Sequence, residues 1–172
     1  MKSNVWAKTT LTVYPYLVKI AGAIDRMVER RALNSFYVSG GNYLSNNLYD
    51  LANKLIDLSE RKITLINLKI LIEGTLKKGD RECAKLLIAK YMSKKKCGQI
   101  CEMFNLSRRT YFRKIKEAED KFENSLSRQG YNPSKFEEML KNESWILDVK
   151  KTYEKATTEE ACDAKISRRE IV

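Results

Sequence analysis

Histidine is absent from this sequence of 172 residues, and glycine (7), proline (2) and cysteine (4) are sparse. Without an imidazole there is no His general base, no Ser-His or Cys-His nucleophile pair and no His-containing zinc site. No apolar run approaches the roughly 20 residues that cross a bilayer, and the N-terminus lacks the basic, apolar and small-residue order of a secretory signal. A cytoplasmic, nucleoid-associated location is therefore the expectation. Cys83, Cys97, Cys101 and Cys162 form no secreted disulfide framework and read first as small apolar residues.

What is present is a folding chain with a strong charge bias. Hydrophobic residues make up 43% and charged residues 32%, enough for a core and a hydrated surface. Thirty-three Lys and Arg against 22 Asp and Glu give a net charge of +11, which favours polyanionic partners.

The apolar spacing predicts an all-α fold. Val13, Leu17, Ile20, Ile24 and Met27 recur four and three residues apart, the stripe of a helix that Pro15 would enter within its first turn, with Lys19, Asp25 and Arg26 opposite. A breaker cluster follows from Asn34 to Asn42, including Gly40 and Gly41. Leu44, Leu48, Leu51, Leu55 and Leu58 then form a narrow seam suited to another helix, whether within the chain or in a homodimer. The phase slips at Ser59 to Lys62, and Ile63, Ile66 and Ile70 with Leu65, Leu68 and Ile72 make a broader face. One kinked helix and two helices both fit this pattern.

Residues 8–78 thus read as a helical bundle serving oligomerisation or partner binding. Gly79 and Asp80 mark a boundary, as C′ residue and N-cap. Residues 80–128 form a second module. It holds a helix through Ala84, Leu87, Ile88 and Tyr91, a shorter one from Gln99 to Phe104, and a third from Ser107 to about Ser127. Gly130 closes the third, and Asn132-Pro133 opens a further helical segment over 132–154, whose Phe136, Met139, Leu140, Trp145, Ile146 and Leu147 would fold back on the module. Residues 155–172, mixed in charge and without a stripe, are expected to fray.

The functional signal lies between Ile100 and Ile115, which reads as a helix-turn-helix. Cys101 supplies the small residue where two helices cross, and Asn105, four residues on, tolerates a left-handed backbone. Leu106 buries one aliphatic side chain in the turn, Ser107 caps the second helix, and Tyr111 and Ile115 face inward. The outward face then carries Arg108, Arg109, Thr110, Arg113 and Lys116, the residues placed to read bases in the major groove. Arginine offers a planar fork for guanine, and threonine a hydroxyl and a methyl. Lys94, Lys95, Lys96, Ser107, Lys114 and Lys121 are the candidate phosphate contacts. Residues 90–121 hold ten basic against four acidic side chains, so a net +6 of the chain's +11 sits in this short stretch.

From about Asp80 to Leu126 the chain resembles sigma-70 region 4-like helix-turn-helix domains, in particular small phage and Firmicute transcription activators of the ArpU type. The matching features are the aliphatic helix ending at Lys90-Tyr91-Met92, the core from Ile100 to Ser107, and Arg109-Thr110-Tyr111-Phe112-Arg113-Lys114 opening the second helix. The resemblance implies that this helix reads promoter-like double-stranded DNA. In sigma factors proper the domain also contacts RNA polymerase, which makes polymerase an implied partner. Residues 11 to 78 carry no copy of the acidic and aromatic region that a small sigma factor devotes to core polymerase and promoter melting.

Other chemistries find less in the sequence. Cys97 and Cys101 share a helical face, yet two further metal ligands are missing nearby, so neither a metal nor a cofactor is expected. Glu117, Glu119 and Asp120 read as solvated partners of neighbouring lysines and arginines. No phosphate loop, nucleophile motif or nuclease carboxylate cluster appears, and no enzyme is expected. A membrane-surface helix would be continuous with one wide apolar face, whereas this motif breaks at Asn-Leu-Ser. A helical interaction protein with an incidental basic face is the remaining alternative, and Tyr111 and Phe112 with the arginines leave RNA open.

Overall fold

In a computed structural model the apolar stripes fold as seven α-helices, with no strand among the described residues. The backbone is described over 4–38 and 46–169, and side chains over 4–34 and 49–156. The helices are α1 (Val5–Val38), α2 (Asn46–Lys78), α3 (Arg81–Leu87), α4 (Cys97–Met103), α5 (Arg108–Arg128), α6 (Pro133–Met139) and α7 (Ser144–Arg169). None of the described helices is long and apolar enough to cross a membrane.

Helix α1 begins well before the proline, so Pro15 lies in its interior rather than in its first turn. The earlier start follows from Val5, Trp6, Ala7 and Leu11, all buried, which extend the apolar face toward the N-terminus. Thr9 and Thr10, also buried, satisfy their hydroxyls by donating to the carbonyls of Val5 (2.7 Å) and Trp6 (2.8 Å). Helix α1 also runs to Val38, through the first part of the expected breaker cluster, while Gly40, Gly41 and Leu44 lie outside the described residues. Helix α2 is a single element across the phase slip at Ser59 to Lys62. Of the broad face expected there, Leu65, Leu68 and Ile72 are buried, while Ile63 and Ile70 are exposed.

Contacts divide the chain into two compact units. One is Pro15–Leu71, whose core includes Leu17, Ala21, Ile24, Leu58, Leu65 and Leu68, with Lys62 Nζ 2.7 Å from Asp25. The other joins the chain up to Tyr14 with everything from Ile72 onward. The sequence boundary at Gly79 is therefore not where the contacts divide. The first turns of α1 belong to the second unit because Trp6 stacks on Phe136 with ring centroids 5.1 Å apart, and Thr12 shares a 2.8 Å hydrogen bond with Tyr153.

Within that second unit, α3 and α4 both pack against α5. Asp80 caps α3 by accepting from the Glu82 N–H at 2.9 Å. Beyond Leu87 the helix widens into a π turn, Ile88–Met92, closed by the Ser93 N–H donating to the Ile88 carbonyl at 2.9 Å. Gly130, at φ 82°, ends α5, with the Tyr131 N–H reaching the Leu126 carbonyl at 3.0 Å. Asn132 caps α6 through Lys135 N–H, with Pro133 at its first position. Phe136, Leu140 and Ile146 are buried in this unit, and the C-terminal helices meet the start of α1, where Trp6 stacks on Phe136 and Lys150 Nζ lies 5.2 Å from the Trp6 ring. Helix α7 continues past residue 155, where fraying was expected, to Arg169. No glycine or proline lies in that stretch, and three alanines support the helix.

Candidate nucleic-acid interface

The turn between α4 and α5 rests on one left-handed residue. Asn105 has φ 50°, the Leu106 N–H donates to the Cys101 carbonyl at 2.8 Å, and the Asn105 N–H donates to Glu102 at 3.2 Å. These two bonds are a Schellman closure, with asparagine in the place usually held by glycine. It ends α4 abruptly and lets Ser107 start α5, its Oγ accepting from the Thr110 N–H at 3.2 Å. Ile100 is fully buried, Tyr111 and Ile115 are buried on α5, and Cys101 is half-buried. The structure thus brings together the two helices, the small crossing residue and the inward pair that the sequence implied.

The opposite face of α5 is open. Arg109, Arg113 and Lys116, four and three residues apart, share it and are exposed, as is Arg108 beside them. Among the described residues none of these four forms an ion pair. Thr110 is half-buried, and its hydroxyl lies 2.9 Å from Ser107 Oγ. Its polar group is therefore engaged locally, which leaves the arginines as the outward donors.

The six candidate phosphate contacts divide into groups. Lys94, Lys95 and Lys96 are exposed in the segment leading into α4, where Lys94 has φ 49° and the Lys96 N–H donates to Gln99 Oε1 at 3.0 Å. Lys95 Nζ lies 3.2 Å from Met103 Sδ, which draws its ammonium along α4. Lys114 and Lys121 turn instead toward α3. Lys121 Nζ lies 2.7 Å from Glu117 and 3.4 Å from Asp80, and Lys114 Nζ 3.9 Å from Glu82. The hydrogen bond to Glu117 is the chief reason that the Lys121 ammonium is held above its usual range. Ser107 is occupied as the cap of α5.

Two side chains add to or depart from the sequence reading. Phe112 stands 60% exposed between Arg109 and Arg113, edge-on to Tyr111 at 5.1 Å between centroids. A large aromatic left in water on a basic face is an available apolar contact for a base or a thymine methyl. Glu119, read as solvated, is only 3% exposed. It accepts from Lys90 Nζ and Tyr91 Oη, each at 2.6 Å, with Lys8 Nζ 3.8 Å away. Burial, reinforced by the Glu119 charge and hydrogen bond, pushes the Tyr91 hydroxyl far above its ordinary value. This cluster ties α5 to the first turns of α1 and to the π turn, and so fixes the helix that presents the arginines.

The Cys97 and Cys101 sulfurs lie 3.9 Å apart, both half-buried. Burial pushes the Cys101 thiol up, and its contact with Cys97 adds to the effect. Among the described residues no group of three or more Cys, Asp or Glu side chains is placed to hold a metal ion. The Cys162 side chain lies outside the described residues. The chain matches no family model, no curated protein and no solved structure.

Proposed function

We propose that this protein is a sequence-specific, double-stranded DNA-binding regulator of transcription, in the manner of the sigma region 4-like helix-turn-helix proteins it resembles. The observation that carries the reading is the outward face of α5, where Arg109, Arg113 and Lys116 stand exposed, with no ion pair among the described residues, at the start of a helix set off by a left-handed turn. A helix so presented fits the major groove, about 12 Å wide, with its N-terminal residues at the base edges. Lys94, Lys95 and Lys96 supply charge for the phosphates alongside.

The test is selection from a random duplex pool at about 150 mM salt, using the protein and its Arg109→Ala, Arg113→Ala variant. An enriched motif that disappears in the variant is the expected result. Absence of any enriched duplex, or enrichment from a single-stranded pool only, would count against the reading.

A further inference from the structure

Of the phenylalanines with described side chains, Phe122 and Phe136 are buried, Phe104 is half-buried and Phe112 alone is exposed. The exposed neighbours of Phe112 on α5 are cations. Arg108 and Lys116 stand one turn before and after it, Arg109 three residues before and Arg113 next to it. None of the four forms an ion pair among the described residues. The three nearest carboxylates of the same helix are engaged elsewhere, Glu117 with Lys121, Glu119 with Lys90 and Tyr91, and Asp120 with Asn4.

We propose that Phe112 reads the 5-methyl group of a thymine in duplex DNA, within about one base-pair step of a guanine bound by Arg113. This role rests on the duplex-binding function proposed for α5 and adds a base to its target. Phenylalanine carries no side-chain donor or acceptor, so it takes no part in the hydrogen-bond code of the base edges. The apolar group that the four bases present on the floor of the major groove is the thymine methyl. An exposed ring among unpaired cations suits a partner that is anionic at its rim and apolar at one point of its floor. Duplex DNA has that pattern, with phosphates along the groove walls and methyls between them.

An apolar protein surface fits this ring poorly, because docking there strips water from four uncompensated charges. Thr110, the other methyl-bearing side chain at the start of α5, is half-buried, which leaves the ring as the exposed apolar group of the face. Along the helix axis Phe112 lies about 1.5 Å from Arg113 and about 4.5 Å from Arg109. Successive bases of a strand lie about 3.4 Å apart, so the ring and the Arg113 fork fall on the same or the adjacent step. A guanine with a thymine at its side is thus the expected core of the target.

The test uses the full chain and the duplex that it enriches from a random pool, with each thymine replaced in turn by deoxyuridine, which pairs identically and lacks only the 5-methyl. Fluorescence anisotropy at about 150 mM salt reads the dissociation constants. The expected result is one thymine, beside a guanine, whose replacement weakens binding by about 4-fold, the contribution of one buried methyl. Phe112→Ala should bind the thymine and uridine duplexes alike while keeping its dependence on the neighbouring guanine. Phe112→Leu should restore part of the difference, with circular dichroism of both variants matching wild type. A motif without thymine, the absence of any uridine penalty, or a penalty that survives in Phe112→Ala overturns this role and leaves the duplex-binding function standing. Failure to enrich any duplex, or enrichment of single strands only, overturns both.

Discussion

The Tyr91 hydroxyl donates to the buried carboxylate of Glu119 at 2.6 Å, joining the π turn to the mid-point of the helix that carries the exposed arginines. Lys90 reaches the same oxygen at 2.6 Å. One acceptor therefore serves two donors on neighbouring residues, and the π turn places both toward α5. Removing the acceptor strands a buried hydroxyl, while the one-third-exposed lysine can turn to water. Glu119→Ala is expected to destabilise by about 2–3 kcal/mol and Tyr91→Phe by about 1.5 kcal/mol. Urea unfolding measures both. The double variant should cost less than their sum, and strict additivity would show that the two groups are not coupled.

A second tyrosine gives the molecule a pH limit. Tyr14 Oη donates to Glu73 at 2.6 Å, and chiefly through that bond its ionisation moves from the ordinary 10 to about 12. Tyr91 is raised too, through burial first. A raised folded-state value means the unfolded chain loses its proton more readily. The stabilisation is complete below pH 10 and, for Tyr14, is lost as pH climbs from 10 to about 12. Stability should accordingly fall in that window, and Glu73→Gln should return Tyr14 toward 10 in a tyrosinate absorbance titration. An unchanged Tyr14 titration in Glu73→Gln would assign the shift to another cause.

The turn itself can be tested through Asn105. Its φ of 50° suits glycine and asparagine and strains other residues by about 1–2 kcal/mol. Asn105→Gly should hold or raise the melting temperature, and Asn105→Val should lower stability by about that amount. Equal stability for glycine and valine would mean that the turn relaxes out of the left-handed region.

This residue also shows why the motif was legible in advance. Cys101, Asn105, Leu106 and Ser107 act within one turn of each other, through spacing and backbone preference, and such signals are local. The caps at Asp80 and Asn132 were readable for the same reason. What escaped was set by partners far along the chain. Trp6 finds its place against Phe136, and the start of α1 follows from that contact rather than from Pro15. Glu119 carries no sign of burial in a basic, charged stretch, because Lys8, Lys90 and Tyr91 meet it only once the chain has folded. Ile63 and Ile70 read as part of one broad apolar face with Leu65, Leu68 and Ile72, of which only the last three are buried, since a single long helix cannot bury every side of itself.

Lys121 and Lys95 separate local pairing from solvent-facing charge, and under the proposed function their effects on duplex binding differ. Lys121 is held by Glu117 and Asp80, and Lys95 stands exposed ahead of α4. A lysine already paired with carboxylates releases no DNA counterion when it is removed, whereas each phosphate contact adds about 0.9 to the slope of log affinity against log salt. Lys95→Ala should weaken specific and random duplexes alike and flatten that slope by about 1, while Lys121→Ala should leave both unchanged. Arg113→Ala should act differently again, costing about 1–3 kcal/mol on the selected sequence and far less on random DNA. Fluorescence anisotropy titrations at several salt concentrations measure all three. A salt slope that falls equally for Lys95→Ala and Lys121→Ala would place the α3-facing side of α5 against the phosphates as well and remove the reason for assigning base reading to Arg109 and Arg113.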